Sequence, residues 1–235
     1  MTPSIRRQTA LLYAPVETFD LGRGPTALAI DLCHRHGFAL TAMLLSAAAA
    51  IAASPKGRTH EQLVEDSAAL DARNLANAAD LARTCAEGGI DLAQVTAIDH
   101  SRGFMPFVDD HARLHDLAII GTADTGLLGE RLVAESLLFE SGRPVLLVPG
   151  NHTGPFTAGK IAVAWDNSRP AARSLGDALA LLPGVGEVIF ITIGDEKAIS
   201  SSVTEEQRLQ CVARRGLAVS EVRRKRRQHI RISVQ

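Results

Sequence analysis

The sequence, 235 residues long, predicts an α/β fold: an open parallel sheet wrapped by helices and followed by a partial second copy. Three observations carry that prediction. Hydrophobic residues make up 46% of the chain but aromatics only 4%, an aliphatic profile that suits α/β layers better than an aromatic-rich β-sandwich. The apolar runs are continuous rather than alternating, which marks strands buried on both faces of a parallel sheet. Spacing also repeats: Leu11 to Phe38 and Ile161 to Val188 are both 27 residues apart, and the second pair begins 150 residues after the first.

In chain order, strands are expected at 10–16 ("ALLYAPV"), 38–45 ("FALTAMLL"), 117–121 ("LAIIG"), 144–149 ("PVLLVP"), 160–165 ("KIAVAW") and 187–193 ("EVIFITI"), with a weaker one within 91–99. Helical punctuation lies between them. Thr59 to Gln62 and Ser202 to Glu205 have capping-box spacing. After the first box, Leu63, Leu70, Ala78, Leu81 and Cys85 form one apolar stripe, which Gly88-Gly89 ends. Gly37, Gly184 and Gly216 are placed to end other helices. "NHTGPFTAG" (151–159) reads as a linker. The expected organisation is therefore one domain over 1–150, a linker over 151–159, a partial second unit over 160–222 and a basic tail over 223–235.

Composition narrows the function classes. The net charge of −1 conceals a body of about −8 and, over 211–235, an end of about +7. Cys33, Cys85 and Cys211 are far apart and odd in number, which argues against a disulfide framework and favours a reducing cytoplasm. Phe38–Ala53, sixteen residues and half of them alanine, falls short of the roughly 20 needed to span a bilayer. It reads as a strand running into an Ala-rich connection, and no membrane association is expected.

The stretch "LAIIGTADTGLLGERLVAESLLFESGRPVLLVPG" (117–150) resembles the universal stress protein family, in which a strand ends in Gly, a loop and helix follow, and a Pro-Val-rich strand closes the domain. "IAVAWDNSRPAARSL" is similar to the family's first strand and its Asp-Gly-Ser turn, with Asn167 where Gly is common. The resemblance covers 8–150 as a whole domain and 160–222 as the front of a second. It implies a doubly wound, Rossmann-like sheet of five parallel strands in the order 3-2-1-4-5, with any nucleotide in the crevice at the strand carboxyl ends. It also implies pairing through the last strand, so a homodimer joined at Pro144–Pro149 is expected, because an unpaired apolar edge invites a partner.

Nucleotide-binding members of that family carry G-x2-G-x9-G-[ST] after the fourth strand, where glycines admit phosphates to backbone N–H groups and a helix N-terminus. Gly121 fits the first position, but Asp124 and Ala134 fall on the other two glycines, with Glu135 following. Gly126 and Gly129 offer another loop at the wrong spacing. The family's first-strand Asp, which contacts the nucleoside, is represented only by Glu17 beyond Pro15; Asp166 and Ser168 match it better in the second unit. Asp166, Asn167 and Ser168 equally fit a helix N-cap, with Pro170 in the first turn. The expected cofactor-binding residues are thus Gly121, Asp166 and Ser168, in a degenerate adenine-nucleotide site that binds ATP weakly or not at all.

No catalytic or metal-binding set is expected. His111 and His115, flanked by Asp109, Asp110 and Asp116, share a helix face but lack further ligands. Asp99-His100-Ser101 are neighbours in sequence, which a triad need not be. "RRKRRQHIR" (223–231) has the charge to meet nucleic-acid phosphates but no interleaved aromatics, and reads as a solvated tail. The expected function is a universal-stress-type protein acting by binding or assembly without turnover. The alternatives are an adenine-nucleotide-binding or hydrolysing protein of the same fold, or a nucleic-acid-associated protein working through its tail.

Overall fold

The computed structural model describes residues 7–45, 60–96, 103–123, 129–194 and 202–225. Chain contacts divide it into two units, Met1–Phe156 and Thr157–Gln235. The first unit is built from β1 (Thr9–Tyr13), α1 (Gly24–His36), β2 (Ala39–Met43), α2 (His60–Glu87), β3 (Leu92–Val95), α3 (Phe104–Arg113), β4 (Leu117–Gly121), α4 (Glu130–Glu140) and β5 (Val145–Val148). Its five strands are all parallel and lie in the order β3-β2-β1-β4-β5. This is the doubly wound order that the family resemblance implies, with a switch point between β1 and β4.

The continuous apolar runs were a sound guide because β1 and β4 are buried on both faces. One core gathers Leu11, Tyr13, Met43, Ala118 and Ile120 against Val108 and Ala112 of α3 and Val133, Ala134 and Leu137 of α4. Successive strand side chains alternate between faces, so Ala10, Leu12, Leu40, Ala42 and Ile119, also buried, point the other way. There they meet the side of the sheet taken by α1, whose Leu28, Ala29, Leu32 and Cys33 are buried. Gly37 ends α1 at a φ of 73°, its N–H bonded to the Cys33 carbonyl, as a left-handed cap requires.

Along α2 the buried stripe includes Ala78, Leu81 and Cys85, as expected, and also Asn74, whose Nδ2 donates to the Leu44 carbonyl at 2.6 Å. A buried amide thus ties the helix to the end of β2. Thr59, the first residue of the expected capping box, lies outside the described residues, as do 46–53 of the Ala-rich stretch. Among the described residues, no helix is long and apolar enough to cross a membrane.

The second unit contains β6 (Lys160–Ala164), α5 (Arg169–Leu181), β7 (Glu187–Gly194), α6 (Glu205–Ala213) and β8 (Ala218–Lys225). Its three parallel strands lie in the order β6-β7-β8. Val163, Val188 and Phe190 pack with Leu175 of α5 and Val212 of α6, because two right-handed crossovers in one direction put both helices on one face. Ala162, Ala164, Ile189, Ile191, Ile193 and Val222 alternate onto the opposite face, where Ile193 is 41% and Val222 38% exposed. Trp165, at the end of β6, stacks edge-on against Phe190, with the Arg208 guanidinium 5.8 Å from its centroid.

The structure corrects several expectations. The three strands of the second unit lie side by side in chain order, as β1, β2 and β3 do, but the spacing of 27 is not shared: Leu11 pairs with Thr41, 30 positions on, whereas Ile161 pairs with Val188. The difference lies in loops, since 14–23 separate β1 from α1 while 165–168 suffice between β6 and α5. The second capping box is Thr204 with Gln207, not Ser202 with Glu205: Thr204 accepts from the Gln207 N–H and the Gln207 side chain accepts from the Thr204 N–H. The segment read as a linker returns to the first unit through residue 156. Gly24 N–H donates to the His152 carbonyl at 2.8 Å, and Phe156 N–H to the Asp31 carboxylate at 2.7 Å. The basic run does not begin beyond the fold, because Arg223, Arg224 and Lys225 continue β8 in register with Thr192, Ile193 and Gly194.

Candidate functional site

The carboxyl ends of β1 and β4 flank the switch point of the first unit, the place where open α/β sheets leave a crevice for ligands. Three segments converge there: the turn after β1 (Ala14–Thr18), the end of β4 with Ala123, and the first turn of α4. The residue that unites them is Glu130. It opens α4, where a negative charge is favoured by the helix dipole, and it is only 1% exposed. Its Oε1 accepts a hydrogen bond from the Thr18 hydroxyl at 2.6 Å, and its Oε2 accepts from the Ala123 N–H, also at 2.6 Å.

Gly121, the first glycine of the phosphate-loop pattern, is where the sequence put it, at the end of β4. A Cβ built on it would lie 2.1 Å from Oε2 of Glu130 and 2.3 Å from Oε1 and Cδ. The absent side chain therefore makes room for this chain's own carboxylate. Tyr13, at the end of β1, completes the wall. Burial, reinforced by the negative charge of Glu17 and then of Glu130, pushes its phenol above its ordinary pKa and keeps it neutral in the physiological range.

Where the expected repelling carboxylates are concerned, the structure makes a substitution. Asp124 lies outside the described residues, as does Gly126. Glu135 is a turn further along α4, exposed and paired with Arg131, and Ala134 is buried in the core. The carboxylate that faces the crevice is Glu130. At about 4 Å and an effective dielectric of about 20, it would oppose each negative charge of a ligand by about 4 kcal/mol. Sequence reasoning missed it because Glu130 falls between the motif slots. The available signal was an acidic residue opening the helix nine positions after the strand-end glycine.

Asp166 and Ser168 belong to the second unit and are joined to each other. The Ser168 N–H donates to Asp166 Oδ1 at 2.9 Å, and Ser168 Oγ caps α5 by accepting from the Ala171 N–H at 3.3 Å. Asn167 between them has a φ of 61°, the left-handed conformation that Asn tolerates better than most residues and that Gly adopts freely. Pro170 sits in the first turn. The Ser168 cap, its bond to Asp166 and the placing of Pro170 all serve the start of α5.

The histidine pair is divided. His111 stacks on Phe107 within α3, while His115 lies beyond its end, bonded through Nδ1 to the His111 carbonyl and through Nε2 to the Thr41 hydroxyl, both at 2.8 Å. Asp116 accepts from the Thr9 N–H and tethers β1. Asp109 is buried and accepts from the Ser136 hydroxyl at 2.8 Å. Among the described residues, no group of three His, Cys, Asp or Glu side chains is arranged to hold a metal ion. Asp99-His100-Ser101 lie outside them. No protein-family model matches the chain, and no curated protein matches it in sequence.

Proposed function

We propose that the chain is a universal-stress-type protein that acts by binding or assembly, without catalytic turnover, and that its nucleotide crevice is degenerate. The observation that carries this reading is the Glu130 carboxylate, which takes both the space above Gly121 and the donors Thr18 and Ala123. A phosphate bound at this strand end needs room beside the strand-end glycine and N–H donors from the following loop and helix N-terminus. The doubly wound order and the succession of β4, α4 and β5 support the family resemblance.

Assembly is the second part of the reading. β5 is an edge strand of its sheet and Leu147 on it is 43% exposed, so the strand offers both backbone groups and apolar surface to another copy. A homodimer through Val145–Val148 follows, in a cytoplasmic protein that responds to stress. Denaturing the purified protein and chromatographing the supernatant tests the first part. The expected result is no released adenine nucleotide, together with no ATP binding by calorimetry at micromolar concentrations. Stoichiometric nucleotide would overturn it in favour of an adenine-nucleotide-binding or hydrolysing protein of the same fold.

A further inference from the structure

Resting on the reading of a degenerate crevice, we propose that Glu130 is the residue that decides what the crevice admits. Its carboxylate is a resident anion, held by the donors a phosphate group would use, and it excludes phosphate-bearing molecules by taking their place. The crevice is filled rather than lost.

Four observations converge on this assignment. Glu130 is a charged residue almost wholly removed from solvent, an arrangement that persists only where the charge is met by hydrogen bonds. Both oxygens are met, by a hydroxyl from the turn after β1 and by a backbone N–H from the loop after β4. Those donors come from opposite sides of the switch point, so the carboxylate bridges the two halves of the sheet as a bound anion would. The missing side chain of Gly121 leaves the space in which the Glu130 carboxylate sits. A glutamate placed for helix capping alone would remain at the solvent edge of the first turn, as Glu205 and Glu206 do on α6, where both are exposed.

If the carboxylate is an occupant, removing it should free the place. Glu130→Ala leaves the Thr18 hydroxyl, the Ala123 N–H and the open side of Gly121 facing one another. The probe is inorganic pyrophosphate, titrated by calorimetry and by melting temperature against sodium chloride at matched ionic strength. Wild-type protein is expected to give no binding heat. Glu130→Ala should bind pyrophosphate at least tenfold more tightly and show a melting temperature that climbs with its concentration, since a ligand of the folded state stabilises by mass action. Glu130→Ser, equally short, should behave alike.

The inference is overturned if the folded variants bind pyrophosphate no better than wild type. It is equally overturned if they stay unfolded at every pyrophosphate concentration, because Glu130 would then be structural cement and not a replaceable occupant. Wild-type protein that already carries adenine nucleotide would instead overturn the functional reading beneath it, so the two failures are distinct.

Discussion

A methyl group at position 121 asks a sharp question of the crevice. Gly121→Ala places a Cβ within 2.3 Å of three Glu130 atoms, so the carboxylate must leave its two donors or the strand must shift. Overpacking of this kind costs about 1–3 kcal/mol, measurable as a lower denaturant midpoint. Combined with Glu130→Ala the penalty should shrink, giving a favourable coupling in a double-mutant cycle; simple additivity would mean that the two residues do not compete. Asp109 offers a pH test. Burial lifts its carboxyl above the ordinary range, against the opposing pull of Ser136 and Arg113, and Oδ1 has no partner among the described residues. An acid with a raised folded pKa binds protons more readily folded than unfolded, so stability falls as pH rises from the ordinary carboxylate range through the raised value. Asp109→Asn should therefore be more stable than wild type at neutral pH, with the gain vanishing in acid; urea midpoints at both pH values decide. Residue roles were the least legible level in the sequence. Gly121 was found through a motif, but its reason depends on Glu130, nine positions away in sequence and adjacent in the fold. The cap formed by Asp166 and Ser168 was readable because the two bonds that make it are local.

Among the elements, β7 and β8 carry the second unit. Glu221 of β8 is buried to 3% side-chain exposure and is bonded to Thr192 of β7, to Arg208 of α6 and to Arg223. Burial pushes its carboxyl up, but those three donors outweigh burial and hold it below the usual carboxylate range. A depressed folded pKa contributes stability above the unfolded value and loses it as pH falls through the folded one. Glu221→Ala leaves Arg208 charged over Phe190 and Trp165 with its partner gone, and should cost about 3 kcal/mol at neutral pH. The deficit should narrow in acid, where wild type loses the same contribution; an equal deficit at both pH values would refute the account. The continuous apolar run of β7 correctly marked a strand. It gave no way to learn that helices of its own unit cover only one face, because periodicity reports which side chains want burial and not what buries them. The capping box was misplaced for a related reason: Ser202 and Thr204 both satisfy the pattern within four residues, and only the start of α6 chooses.

For the whole molecule, assembly through β5 makes the strongest demand. Leu147→Lys adds a charge to the exposed side of an edge strand without disturbing the β4 pairing, where Leu147 faces Ile120 across the ladder. If two copies join there, the variant should run as a monomer in size-exclusion with light scattering at concentrations where wild type is a dimer, since burying an unpaired charge costs several kcal/mol. A wild-type monomer at tens of micromolar would end the proposal. Topology was the most legible level: the apolar runs and glycine stops marked the elements, and the family resemblance supplied the strand order, which the runs by themselves do not fix. Unit boundaries were less so: "NHTGPF" has the composition of a linker, yet His152 and Phe156 bond to α1, contacts that composition cannot foretell.

The chain contains one tryptophan and one tyrosine, and the fold has separated them. Trp165 packs, partly buried, on the core of the second unit, against Phe190 and Arg208, while Tyr13 stands in the wall of the first unit's crevice beside Glu130. Each unit thus holds its own chromophore. Indole emission follows the unit of the three-stranded sheet, and the phenol band, separated from the overlapping indole band by second-derivative absorbance, follows the unit of the five-stranded sheet. One unlabelled sample, watched at both signals during denaturation, reports whether the two units melt together or apart.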